Sequence, residues 1–257
     1  MTVSVRSSGA ALLLGLVLPA FLLGLWQVAA EQRWIDTLFY PAPWDVAQRT
    51  WEQARSGDLL TDAWVTSRRL LIGFAAGTIP GGILGFAAGI SRLLRRLLYP
   101  LATALYVVPR IAMLPLVLVA FAITDTARIF MVGFSVFFVV FFAALSAAEQ
   151  VSAVHLETAR AFGAGRLRLI TTVLVPASAP AVFSGLRIAM GFALIVIVGT
   201  EFLASNDGLG ARIWQSYQIF DFPSMYAGIV AVTLLGVVLN LGLLVMERIA
   251  LPWARQT

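Results

Sequence analysis

The chain has 257 residues, 60% of them hydrophobic and only 12% charged, whereas a soluble domain is roughly half apolar and about a quarter charged. It has no Cys, which excludes a disulfide framework, a thiolate metal site and a Cys nucleophile. All 18 basic residues are Arg, so a GxxxxGK[ST] phosphate loop, which needs its Lys to reach the β/γ-phosphates, is excluded as well, and the net charge of +5 is spread over short segments between apolar runs.

Apolar runs repeatedly reach the roughly 20 residues that a helix needs to cross a bilayer. The first, Ala10 to Ala30, follows Arg6 but is too long for the h-region of a signal peptide, and Trp26, Gln27 and Glu31 make a poor cleavage context. It is read as a retained span. Residues 31–63 follow, with Trp34, Trp44, Trp51 and six carboxylates, and are expected to lie on the outer side as a partly amphipathic segment at headgroup level.

Further spans are expected at Leu70 to Ile90, Leu97 to Ala122, Ile129 to Ala148, Val173 to Thr200 and Met225 to Met246. Pro80, Pro100, Pro109, Pro115 and Pro180 fall in or beside them, where neighbouring helices can re-satisfy freed carbonyls. Gly77, Gly81, Gly85 and Gly89 repeat every four residues and trace one side of their helix, which lets another backbone approach closely.

If the N-terminus is cytoplasmic, nine arginines lie inside (Arg6, Arg92, Arg95, Arg96, Arg160, Arg166, Arg168, Arg248 and Arg255) and seven outside (Arg33, Arg49, Arg55, Arg68, Arg69, Arg128 and Arg212). The short loop with Arg92, Arg95 and Arg96 weighs most, so cytoplasmic termini are expected.

The inner loop 149–172 carries a pattern. Leu156, Ala159, Ala161 and Phe162 are expected to form one apolar face of a short helix, with Glu157 and Arg160 on the solvated side. Gly163 can end that helix with φ > 0. A second short helix, Arg166 to Thr172, then leads into a span with Pro176 in its first turns.

This loop resembles the EAA signature of the membrane subunits of binding-protein-dependent ATP-binding cassette (ABC) importers: EAA, three residues, G, nine residues, I-x-L-P. Glu157, Ala159, Gly163 and Pro176 match at the required spacing, Val173 and Val175 are conservative, and Thr158 departs from the second Ala. The resemblance extends along the chain to the nitrate/sulfonate/taurine branch through Pro41-Ala42-Pro43, Ser67-Arg68, Gly73-Phe74, Pro109-Arg110-Ile111-Ala112, Pro115-Leu116, Gly185-Leu186-Arg187, Glu201 and Gly208-Leu209-Gly210. It departs at Phe121-Ala122-Ile123-Thr124-Asp125, where such permeases usually reach a Phe-Gly pair.

The resemblance implies an all-α membrane protein of about six transmembrane helices with the type I importer permease fold, as one permease domain over residues 1–257 in the bacterial inner membrane. It implies a homodimer of permeases, two cytoplasmic ATPase subunits that carry ATP and Mg, and an external solute-binding protein. The chain itself would bind no cofactor and have no catalytic residue. Glu157, Ala159, Arg160, Gly163, Ala164 and Pro176 would form the surface coupled to the ATPase.

Arg110 in the third span is expected to face protein or water, either to attract an anion with Met113 and Glu201 along the pathway or as a structural cation beside Pro109. Arg187 and Glu201 are 14 residues apart, about 21 Å along one helix, so each needs a partner on another span. The single histidine, His155, has no second His or Cys to complete a metal site, and Ser67, Ser146 and Ser184 have no His for a hydrolase triad. An intramembrane enzyme would need acids or histidines clustered at one depth, and a secondary transporter would need mid-membrane carboxylates and a repeated half; neither is evident. A small anion such as a sulfonate, taurine or nitrate, or a vitamin precursor, is the expected cargo.

Overall fold

The computed structural model describes residues 9–253, so Arg6 and Arg255 of the inner-side count lie outside the described residues. Every regular element among them is helical: α1 (Gly9–Glu31), α2 (Pro43–Ser56), α3 (Asp58–Ile90), α4 (Arg92–Tyr106), α5 (Leu114–Phe121), α6 (Asp125–Glu149), α7 (Ala153–Ala161), α8 (Arg166–Leu169), α9 (Val175–Ala204), α10 (Leu209–Gln218) and α11 (Phe222–Ala250). A 3-10 turn, Ile111–Met113, precedes α5, and a π turn, Ile170–Leu174, joins α8 to α9.

Helices α3, α6 and α11 and the continuous run Arg166–Ala204 are each long and apolar enough to cross a membrane. Helix α1 has 23 residues, about 35 Å of helix, and its stretch Val17–Glu31 is apolar. The outside of the bundle carries an apolar stripe: Leu234, Val238, Leu241 and Val245 of α11 are all exposed. A protein in water would bury such a stripe, whereas lipid tails solvate it.

The third expected span is not one helix. Helix α4 stops at Tyr106 and the chain re-enters helix only at Ile111, at an 82° bend. Pro109 is the physical reason: it supplies no N–H, and its ring pushes Val108 out of the helical region. Pro115 sits in the first turn of α5, where a missing N–H costs nothing. The other spans run longer than their apolar runs. Helix α3 starts at Asp58, twelve residues before Leu70, because its polar first turns are held by ion pairs instead of lipid.

The core is a contact of α6 with α3 on one side and α9 on the other. Gly73 packs on Val132, Gly81 on Phe137 and Gly89 on Leu145 and Ala148, so α3 and α6 run in the same direction. A Cβ at Gly81 would stand 2.5 Å from the Phe137 carbonyl oxygen, and at Gly77 and Gly85 it would come closer still to those of Gly133 and Phe141. The glycine stripe is therefore the seam between two backbones. Leu70, Phe74, Met131, Val136, Ala193 and Ile197 fill the adjoining core. Helix α9 runs the other way, since its C-terminal Glu201 meets Arg69 near the start of α3.

The bundle thus has two distinct ends. One gathers the starts of α3, α6 and α11, the ends of α1 and α9, and helices α2 and α10. There Arg49 and Gln53 of α2 each donate to Ser224 Oγ at 2.8 Å, and Trp26 meets the ring of Tyr226. The other end gathers the ends of α3 and α6, the start of α4, and α7 and α8. The indole of Trp253 donates to the Pro176 carbonyl, which brings the end of the described chain to that side too.

Candidate functional site

Three places combine polar chemistry with unusual backbone. The first is the loop between α6 and α9. Helix α7 has no buried residue, and it ends in a tight C-terminal turn. The Gly163 N–H bonds the Arg160 carbonyl at 2.9 Å and the Ala164 N–H reaches back to Ala159 at 3.0 Å, with Gly163 at φ +77°. These are the paired reverse bonds of a Schellman cap, which satisfy carbonyls that the helix end would leave open. A Cβ at Gly163 would meet nothing, so the constraint within the chain is conformational and not steric.

The expected apolar face of α7 is only half right. Leu156 and Ala159 are partly covered, but Ala161 is exposed and Phe162, at the turn, is 87% exposed. Val154 and Leu167 are exposed beside it, and Glu157 and Arg160 face outward as well. The expected helix Arg166 to Thr172 is also revised: α8 runs without interruption through the π turn into α9. Pro176 lacks the N–H that would bond the Thr172 carbonyl, and its ring would crowd that oxygen. The wider π turn directly before it relieves both.

The second place is the break between α4 and α5. Arg110 sits there with its guanidinium carbon 4.9 Å from the Tyr106 ring centroid and 5.8 Å from that of Phe192, a cation–π contact with each. Its Nη2 is buried and has no hydrogen-bond partner among the described residues. Met113 is half-buried in the adjoining turn, where its N–H bonds the Arg110 carbonyl at 3.0 Å.

The third place, at the opposite end from α7, is an ion-pair network that sequence reasoning did not assemble. Its hub is Arg69, 2% exposed, which binds Glu201 at 3.0 Å, Asp125 at 2.6 Å and Asp207 at 2.6 Å. Glu201 is fully enclosed, and its carboxylate also accepts from the Thr66 hydroxyl at 2.9 Å and the Gly210 N–H at 3.0 Å. Gly208, at φ +97°, lies so close that a Cβ would stand 2.5 Å from the Glu201 Oε1. Arg128 adds a bond to Asp125 and another to the Ala204 carbonyl, and Asp62 pairs with Arg212. The only local sign of this hub is that Thr66 and Arg69 stand three apart on α3 and so share a face.

Two carboxylates outside the spans carry shifted acidity. Burial alone would raise the Asp207 carboxyl, but hydrogen bonds from Arg69 and Ser205 outweigh it and hold it below the usual carboxylate range. Asp221, the N-cap of α11, is likewise pushed up by burial but held low overall by its bonds from Ser224 and by Arg49. Arg187 pairs with Glu247 of α11 at 2.8 Å. Of the expected site residues, Glu157, Ala159, Arg160, Gly163 and Ala164 share one short loop with Pro176 near its base. Arg110 and Met113 share the broken span, and Glu201 is separate from both, enclosed in the network.

Several membrane-length helices packed on glycine, one span broken at a proline, and a small helix-turn projecting from one end define a multi-pass membrane protein of the permease type. The chain belongs to the family of binding-protein-dependent transport system inner membrane components, whose model matches residues 81–256. It is the transmembrane permease component of an ABC importer.

Among its relatives are the putative aliphatic sulfonates transport permease protein SsuC of Escherichia coli, 29% identical over 92% of this chain and 90% of that protein. The taurine transport system permease protein TauC of the same organism is 28% identical over 91% and 87%. The nitrate import permease protein NrtB of Leptolyngbya laminosa is 28% identical over 85% and 80%. In fold, the chain resembles one in the inward-facing MetNI methionine ABC transporter, with a TM-score of 0.65 at 17% identity, covering 76% of this chain and 97% of that one.

Proposed function

We propose that this permease conducts a small anion of the sulfonate, taurine or nitrate type, and that α7 with its Gly163 turn is the element through which a separate cytoplasmic ATPase drives it. The observation that carries this reading is the projecting α7 loop: a short capped helix with no buried residue, which presents Phe162, Val154 and Leu167 to solvent. Apolar side chains held out on a rigid turn lower their free energy by inserting into a partner's groove. A helix anchored at its far end through α8 into α9 then converts movement of that partner into displacement of the span.

In this reading Glu157, Ala159, Arg160, Gly163 and Ala164 contact the ATPase, and Pro176 fixes the direction in which the loop leaves α9. The ATPase binds ATP and Mg; this chain has no Lys with which to do so. The α7 end faces the cytoplasm, and the Arg69 end faces an external solute-binding protein. A second copy of the chain completes the pathway, with residues 149–172 and 31–63 as the inner and outer segments of one permease domain.

The test is co-purification of the ATPase with the permease, read beside uptake in reconstituted vesicles. Gly163→Val forces a β-branched residue to φ +77° and is expected to weaken both, Gly163→Ala less so. If Gly163→Val combined with Glu157→Ala left docking and uptake at wild-type levels, the loop would not be the coupling element.

Arg110 is the proposed anion-attracting group, because its buried Nη2 lacks a partner among the described residues and its neighbours are aromatic rings instead of carboxylates. Met113 lies one turn along the same wall, and Glu201 would contribute only by shaping the outer end. Arg110→Gln is expected to lower uptake at least tenfold with assembly intact, and Arg110→Lys to retain more. Failure of both variants to assemble would make Arg110 a structural cation.

A further inference from the structure

A cleft of about 570 Å³ lies between the α7–α8 loop, the ends of α3 and α6 and the start of α4, within the range of about 300–1,000 Å³ common for small-molecule sites. Four guanidinium groups line it, Arg92 and Arg95 from α4, Arg160 from α7 and Arg166 from α8, against one carboxylate, Glu149. Glu149 is taken up by Arg95. Arg92, Arg160 and Arg166 have no carboxylate partner among the described residues, so the lining of the cleft keeps a net charge of about three positives. Like charges gathered in a concave site repel, and an anion in the middle relieves them all at once.

The surroundings identify the anion. A second, shallower cleft formed by Arg92, Arg95, Arg96, Tyr99 and Pro100 shares two arginines with the first and extends it along α4. In its first turns helix α4 carries those arginines on one side and exposed Leu93, Leu97 and Leu101 on the other, which suits the headgroup-level start of the broken span. The lining also includes the buried Leu169 and Leu174 and the exposed Ile90, so apolar surface lies beside the arginines. A ligand with a phosphate head and a hydrocarbon body satisfies both halves, and guanidinium forks match phosphate oxygens in pairs.

We propose that this cleft binds the headgroup phosphate of an anionic phospholipid, which ties Arg92 on α4 to Arg166 at the start of α8. The binding site stands on its own geometry. Its consequence, that bilayer charge sets how stiffly the loop is held during transport, rests on the coupling function proposed above. Free phosphate shares the headgroup's chemistry but leaves the apolar lining and the α4 leucines without an occupant.

The experiment uses the full chain in nanodiscs of phosphatidylcholine with increasing phosphatidylglycerol, and native mass spectrometry counts the lipid retained on release. Wild type is expected to retain phosphatidylglycerol over phosphatidylcholine. Arg92→Gln with Arg166→Gln should weaken retention by roughly 20-fold or more, at about fivefold per basic residue. Arg92→Lys with Arg166→Lys, which keeps the charge and the fold, should recover most of it. Arg33→Gln with Arg55→Gln, the same loss of charge at the other end, should leave it unchanged. Equal retention by the two glutamine double variants would overturn the proposal. Binding of inorganic phosphate with the same arginine dependence, without phosphatidylglycerol retention, would overturn the lipid assignment. In the presence of the ATPase, loss of its co-purification from Arg92→Gln/Arg166→Gln with lipid retention intact would instead assign these arginines to the subunit interface. Retained lipid together with failure of the Gly163 test would leave the site standing and remove only its link to coupling.

Discussion

At the scale of single residues, burial decides what a charge is worth. Arg68 and Arg69 are neighbours in sequence and both bind Asp125, yet the Arg68 side chain is 50% exposed and that of Arg69 is 2% exposed. Exposed ion pairs contribute about 0–1 kcal/mol, whereas removing one partner of a buried pair costs about 3–5 kcal/mol because the other charge is stranded. Arg69→Ala strands Glu201, which has no water to turn to. Thermal unfolding of the purified protein in detergent is expected to show a loss of that order for Arg69→Ala and a loss under about 1 kcal/mol for Arg68→Ala. Equal losses would mean that Arg69 is not the hub. The two side chains cannot be told apart in the sequence, since their partners lie on other helices, Glu201 being 132 residues away.

At the scale of elements, helices α3 and α6 show what glycine is for in this bundle. Lipid gives no hydrophobic drive for one helix to seek another, so the contact must come from close van der Waals packing. Gly81 and Gly85 sit directly over α6 carbonyls, while Gly82, one residue away, faces only Val140 Cγ1 at 3.8 Å from where its Cβ would be. Gly85→Ala is therefore expected to lower stability by about 1–3 kcal/mol or more through overpacking. Gly82→Ala should be neutral or stabilising by a few tenths, as Ala is in an open helical position. The readout is again thermal unfolding, and a harmless Gly85→Ala would show that the two backbones are farther apart than described. The four-residue repeat announces a close-packed side, but it does not say that α6 is the partner or that the two helices are parallel. The broken third span was hidden for a related reason: hydropathy registers an apolar run through Pro109 without registering that the backbone turns by 82° there.

At the scale of the whole molecule, the two polar ends differ in kind. The Arg69 end is rich in closed ion pairs, and the α7 end holds arginines that outnumber their carboxylates. The topology proposed above, with the α7 end in the cytoplasm, is open to direct test. Because the natural chain has no Cys, a single introduced thiol reports its side without background. Ser152→Cys, just before α7, is expected to react with a membrane-impermeant maleimide only after the cell membrane is opened, and Gln48→Cys, on the exposed side of α2, in intact spheroplasts. The reverse pattern would invert the topology and remove the ATPase from reach of α7.

The sequence by itself determined that the chain is a helical membrane protein, which apolar runs come near to spanning, and where the EAA-like loop lies. All three are one-dimensional facts. Bilayer thickness sets a length along the chain, and the loop's signature is a spacing of Glu157, Ala159, Gly163 and Pro176 within 20 residues. Only the tertiary structure decided that Arg69 gathers Asp125, Glu201 and Asp207, that the glycine side of α3 lies on α6, and that Arg92, Arg160 and Arg166 from three helices converge on one cleft. Even the glycine period of α3 marks a close-packed side without naming its partner, and it is the packing of one helix against another that selects these pairings.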